Sequence, residues 1–194
     1  MGRLVDDPHC PADDRDWMLR NIAVCLTRME RIDEAAAFYD QQIAAASDRV
    51  TRRYFQRSKA ELLQGSDRHQ EAVALSRLVL STAKPDSEEW ATDQGRLAAA
   101  LVAAGERREA LDALQNEKTF WFMRKDANVL LHLAREHHAC GFDNLAGETL
   151  DDATGILDNL AREGTNEKRI SRLRDQLASQ RAQLATPAEQ PTAK

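Results

Sequence analysis

Punctuation is scarce in this sequence. Its 194 residues include five prolines and eight glycines, most of them between segments of apolar periodicity, so almost no stretch is barred from being helix. Cysteine is scarce too. Cys10, Cys25 and Cys140 are odd in number and scattered without a paired-cysteine motif, which excludes a disulfide framework and suits a reducing compartment. No apolar run approaches the length that crosses a bilayer, and the opening Met1-Gly2-Arg3-Leu4-Val5-Asp6-Asp7-Pro8 lacks the apolar core of a signal peptide. A cytoplasmic protein without membrane insertion is expected. A Gly-rich phosphate loop, a nucleophile elbow and zinc-type cysteine pairs are all missing, so no catalytic, cofactor or metal-binding residues are assigned. A formal net charge of −5 disfavours the neutralisation of phosphates, and nucleic acid is not expected as a partner.

Alanine, leucine, glutamate and arginine dominate instead. With 42% hydrophobic and 30% charged residues, the chain can build a substantial core, and its composition favours helix throughout. The stretch Leu97 to Leu114 shows how. Leu97 and Leu101 stack on one helical face beside the small Ala98, Gly105 supplies a left-handed stop, and Ala110 and Leu114 open a second apolar face. That is an αα-hairpin, and three other segments fit it.

Residues 1–12 carry no helical period and read as a flexible lead-in, with Asp13 or Asp14 capping the first helix. Hairpin one runs through Leu19, Ile22, Ala23 and Leu26, turns at Arg31 to Asp33 and resumes at Ala35, Phe38 and Tyr39. Hairpin two begins near Val50, stops at Gly65, and resumes after Asp67 as cap; Pro85 closes it. Asp86 and Glu89 form the expected capping box of hairpin three, whose second helix is expected to be short or irregular; Phe120, Trp121 and Phe122 then occupy consecutive positions that cannot share one helical side. Hairpin four carries Leu133 and Ala134, a stop at Gly141, then Ala146 and Leu150, and ends at Gly164. A last helix over 165–184, capped by Thr165 or Asn166, bears the narrow stripe Ile170, Leu173, Leu177 and Leu184. It is expected to cap the stack, since Gln180 interrupts any heptad seam. Residues 185–194 read as a disordered tail. The repeat domain is thus expected over 13–164.

Aligning the hairpins on the alanine that opens each second helix gives Ala35, Ala72, Ala110 and Ala146, spaced by 37, 38 and 36 residues. A small residue recurs at Ala23, Ala60, Ala98 and Ala134, always 12 residues earlier. Small residues at matched sites let paired helices approach closely. The pattern resembles the tetratricopeptide repeat family: a bulky residue before a small one (Ile22-Ala23, Leu97-Ala98, Leu133-Ala134), a glycine at the turn (Gly105, Gly141), then alanine with an aromatic or leucine four residues on (Ala35-Tyr39, Ala110-Leu114, Ala146-Leu150). Lys59 and Ser76 depart from it, and the family's early helix-A tryptophan is missing. The resemblance covers about residues 15–160 and implies an all-α fold, a right-handed α-solenoid of about four antiparallel hairpins with a C-terminal capping helix.

The same resemblance implies a peptide groove on the first helices. Carried over by position, its candidates are Trp17, Arg20, Val24, Tyr54, Arg57, Glu61, Thr92, Arg96, Asn128, Leu131, Arg135 and His138. Arg20, Arg57, Arg96 and Arg135 come from successive hairpins and would favour an acidic segment or a C-terminal carboxylate; set against this, arginine is common on solvated helix faces. The family's carboxylate-clamp set is not reproduced at Val24 and Ser58. Two further features stand out. Phe120 to Phe122 is either a contact patch or, as favoured here, two rings entering the core. His132, Glu136, His137, His138 and Cys140 have metal-capable side chains, but their spacing round the helix does not converge. The function expected is a non-catalytic adaptor or scaffold that binds a peptide or protein segment. The alternative is a ligand- or peptide-responsive regulatory domain, and a metalloprotein or hydrolase at His132 to Cys140 comes after both.

Overall fold

The computed structural model describes residues 12–164 and 167–185, with the backbone alone described for residues 12–18 and for Arg20. Among the described residues there are nine α-helices and no strand. The chain divides into two compact units, Met1–Thr82 and Ala83–Lys194. The expected lead-in, the caps Thr165 and Asn166 and the expected tail lie outside the described residues, except that Ala12 and Ala185 are helical.

The first unit contains α1 (Ala12–Arg28), α2 (Ile32–Ala45), α3 (Arg49–Gln64) and α4 (His69–Ser81), each packed on the next. Ala35, Ala36 and Leu62 form a small core to which Leu26, Ile32 and Tyr39 add their apolar surface. Arg53 is 2% exposed. Its Nη1 donates to the Val79 carbonyl at 2.8 Å and to Thr82 Oγ1, so the start of α3 is fastened to the end of α4 by a guanidinium whose charge burial leaves little choice of partner.

The second unit contains α5 (Glu88–Ala103), α6 (Arg107–Met123), α7 (Ala127–Ala139), α8 (Asp143–Arg162) and α9 (Glu167–Ala185). Its core joins Leu130, Leu133 and Ala134 of α7, Leu150, Ala153 and Leu157 of α8, and Leu173 and Leu177 of α9. α9 therefore covers the apolar faces of α7 and α8, and Ile170 is buried with the rest of its stripe. Each buried leucine or isoleucine here contributes roughly 1.5–3 kcal/mol through burial. The pairs Arg174–Asp158 and Arg181–Asp151 flank this seam at the surface, where ion pairs add little.

All eight alanines of the two aligned columns are buried. The turns between them repeat just as closely. One residue per hairpin takes a positive φ, always five before the aligned second-helix alanine: Glu30 (59°), Asp67 (59°), Gly105 (80°) and Gly141 (74°). The next residue donates its N–H to a carbonyl five positions back, namely Arg31 to Leu26, Arg68 to Leu63, Glu106 to Leu101 and Phe142 to His137, at 2.8 to 3.0 Å. This is the Schellman closure, in which backbone bonds alone satisfy the helix end. The following helices accordingly start without a side-chain cap.

That closure explains where the sequence expectations miss. Gly65 keeps a right-handed φ of −73° and the left-handed turn passes to Asp67, which consequently caps nothing. Asp86 also turns left-handed, so the cap of α5 is Ser87, whose hydroxyl accepts from the Trp90 N–H at 3.1 Å. Asp13 and Asp14 lie inside α1. The second helix of hairpin three is neither short nor irregular: α6 runs 17 residues. It absorbs its three aromatics by pointing them in different directions. Phe120 is buried under the Arg124 guanidinium, Trp121 packs on the core of the second unit, and Phe122 remains 41% exposed.

Candidate functional site

Two neighbouring cavities open on the second unit. The first, about 390 Å³, lies between α7 and α9, and every residue lining it except Leu131 is polar. Asn128, Gln176, Ser179 and Gln183 are exposed there, and Arg135 stands beside them. Gln180, which breaks the heptad seam in sequence, lines the same cavity with its Oε1 buried and lacking a hydrogen-bond partner. Leu131 is 2% exposed and divides its surface between cavity and core. Carboxamides carry donors and acceptors together, as a peptide backbone does, so such a wall can satisfy an extended chain along its length.

The second cavity, about 510 Å³, is formed by α5, α6 and α7. His132 lines both. Arg135 Nη2 lies 2.8 Å from His132 Nδ1 and can only donate, so the ring proton resides on Nε2, which donates to Glu136 Oε1 at 3.1 Å. Thr92 and Arg96 stand on the α5 wall, and Arg96 pairs with the buried Asp93 at 3.6 Å. Ala99, Leu114, Trp121, Val129 and Leu133 give the cavity apolar sides.

Glu117, from α6, lines this cavity and is 6% exposed. Its Oε2 is buried without a hydrogen-bond partner. The carboxyl rests against Gly95, where an added Cβ would stand 2.4 Å from Oε2. Burial, reinforced by the charge of Glu136 and partly offset by Arg96, pushes its pKa up to about 8. Sequence reasoning missed it, although a signal existed. Glu117 falls seven residues after the aligned second-helix alanine, where the other hairpins have Gln42, Val79 and Ala153, and Gly95 falls where they have Arg20, Arg57 and Leu131.

The expected groove residues are therefore brought together in part. Asn128, Leu131 and Arg135 share the first cavity, and Thr92 and Arg96 the second. His138 lines neither; its Nδ1 meets Asp143 Oδ1 at 2.7 Å across the turn into α8. In the first unit Tyr54 is 38% exposed and edge-on to Phe55, Arg57 is half-buried, and Val24 and Glu61 are exposed. The side chains of Trp17 and Arg20 lie outside the described ones. The arginines occupy different repeat positions: Arg20 and Arg57 stand three residues before the aligned first-helix alanine, Arg96 two before and Arg135 one after.

The histidine cluster diverges. His137 is fully buried in the column that holds Leu26, Leu63 and Leu101 elsewhere, with Nδ1 3.1 Å from Thr149 Oγ1. Since Thr149 Oγ1 donates to the Leu145 carbonyl, it accepts from His137. Burial and the nearby Lys118 depress the His137 pKa to about 4, so the ring is neutral. Cys140 is half-buried, and burial together with Glu136 raises its thiol pKa, against nucleophilic use. Among the described residues no three His, Cys, Asp or Glu side chains converge on one point. No helix among them is long and apolar enough to cross a membrane.

No protein-family model matches the chain, and no curated protein does. Solved structures do resemble it. A protein from Podosopora anserina described as a putative kinesin light chain with nearly identical TPR-like repeats shares 19% identity over 88% of this chain and 97% of its own, with a TM-score of 0.56. A variant of that protein with a single substitution gives 0.57 at 19% identity, covering 90% and 98%. The fold is that of a TPR-like helical repeat solenoid.

Proposed function

We propose that the protein is a non-catalytic interaction module that holds an extended segment of a partner protein along α5, α7 and α9. The observation that supports this most is the carboxamide-rich cavity between α7 and α9, lined by Asn128, Gln176, Gln180 and Gln183. Exposed carboxamides there exchange bonds to water for bonds to a peptide backbone, each worth about 0.5–1.5 kcal/mol net. Arg135 adds a cation at the same place and suits an acidic side chain in the bound segment. Helical repeats present such surfaces preformed, so the ordering cost falls on the peptide. The free thiols Cys25 and Cys140 fit a cytoplasmic setting.

Panning the purified chain against a random peptide library tests the reading. Selected peptides are expected to lose at least about tenfold in affinity to Arg135→Glu, and several-fold to Gln180→Ala, in variants whose helicity and melting are unchanged. Peptides that bind both variants like the wild type, or a library that yields none, would remove the α7–α9 groove as the site.

A further inference from the structure

The cavity between α5, α6 and α7 contains two local rules broken together. Gly95 sits in the middle of α5, where glycine costs roughly 0.5–1 kcal/mol against alanine. Glu117 buries a carboxyl where the repeat otherwise places Gln42, Val79 or Ala153. Each irregularity explains the other, because the missing Cβ of Gly95 is the space that the Glu117 carboxyl fills. Neither helps the fold. A repeat position that elsewhere accepts valine is occupied at a cost, and sequences break local rules in this concerted way chiefly at functional sites.

We propose that this carboxyl is the seat for a basic side chain, lysine or arginine, of the segment held in the groove. The inference rests on the peptide-binding reading for the source of that side chain. The seat suits it: Ala99, Leu114, Val129 and Leu133 line it with apolar surface for an aliphatic stem, and Trp121 adds an aromatic side chain of the kind that attracts a cationic head. The charges agree. Facing Glu117 are Arg96 and its partner Asp93 from α5, and His132, Glu136 and Cys140 from α7. On α6 itself Lys118 is turned to Glu148 and Asp152 of α8. Arg96 and Asp93 offset each other, and Glu136 leaves the cavity with negative charge before Glu117 ionises. An arriving cation favours the carboxylate over the carboxylic acid, so a proton leaves Glu117 for solvent as the cation enters.

Side-chain surrogates test the seat without any peptide. Butylammonium and butylguanidinium are titrated into the full-length protein at pH 6 to 9, with butanol and butyrate alongside. The readouts are Trp fluorescence and the ¹³C resonance of the Glu117 carboxyl, identified by its loss in Glu117→Gln. Saturable binding of both cations is expected, tightening by at least about tenfold from pH 6 to pH 9 as the competent carboxylate becomes populated, and lowering the apparent pKa of Glu117. Glu117→Gln abolishes this preference for cations over butanol. Gly95→Ala, which keeps the carboxyl but takes its space, weakens it several-fold and covers the case of a poorly folded glutamine variant. No saturable binding at any pH, or binding equal in Glu117→Gln, overturns the proposal. The two readings fail separately: surrogates that bind while the library yields no peptide leave the seat standing without the groove, and peptides selected without surrogate binding do the reverse.

Discussion

The repeat sets a default residue at each position, and the exceptions carry the information. His137 replaces a leucine, and its Thr149 partner stands where other hairpins have Phe38, Leu75 and Ala113. Replacing the pair together, His137→Leu with Thr149→Ala, should return hairpin four to the Leu101 and Ala113 arrangement of hairpin three. Stability at neutral pH is expected to hold or rise by about 1 kcal/mol in urea unfolding, because a buried polar pair gives way to apolar packing. His137→Leu alone should do worse, since Thr149 then keeps only its bond to Leu145. The turns give a second test. Gly105→Ala forces a Cβ into φ 80° and should destabilise by about 1 kcal/mol or more, whereas Asp67→Gly relieves an exposed left-handed aspartate and should change stability by only a few tenths, in either direction. Equal losses in the two variants would mean that the turn does not govern hairpin closure.

Among the helices, α9 is the one whose role can be isolated. Its stripe Ile170, Leu173 and Leu177 closes the α7–α8 face and also supplies Gln176, Gln180 and Gln183 to the first cavity. Leu177→Ala is therefore expected to cost about 2–5 kcal/mol and to lower amide protection in α7 and α8, measured by hydrogen exchange, while α1 to α4 keep theirs. Loss spread evenly over both units would contradict their division at Thr82 and Ala83. Helix existence at this level was legible, since every expected helix is present. Helix ends were less so. Side-chain caps and glycines are the legible end signals, but the hairpin turns close on backbone bonds, and Glu30 and Asp67, not Gly65, adopt the left-handed conformation.

For the molecule as a whole, two buried groups with shifted ionisation, Glu117 and His137, should write themselves into the pH profile of stability with opposite signs. Neutral His137, with its pKa lowered to about 4, takes no proton in the folded state while the unfolded chain does below its ordinary value near 6.5, so stability falls as pH drops from about 6.5 to 4, by at most about 3 kcal/mol. Glu117 keeps its proton in the folded state up to about 8, while the unfolded chain loses it near 4.5, so stability falls as pH rises across that interval, by at most about 5 kcal/mol. Together they predict a plateau between about pH 4.5 and 6.5 and a decline towards pH 8. Glu117→Gln should remove the decline, and thermal melts across pH would show it; a profile unchanged by the variant would mean that the carboxyl is already ionised. The architecture was written openly in the constant spacing of paired alanines. The site was not, because Glu117 looks like any surface glutamate until its column is known to face inward, and Gln180 looks like a flaw in a seam. The shared turn has one more consequence, which concerns inheritance. Each hairpin closes on its own carbonyls, Leu26, Leu63, Leu101 or His137, so a duplication, deletion or exchange whose breakpoints fall between hairpins severs none of these closures. Arrays of this kind can lengthen, shorten and shuffle by whole hairpins, and a lone variant such as the Gly95 and Glu117 pair can travel as one cassette of chain.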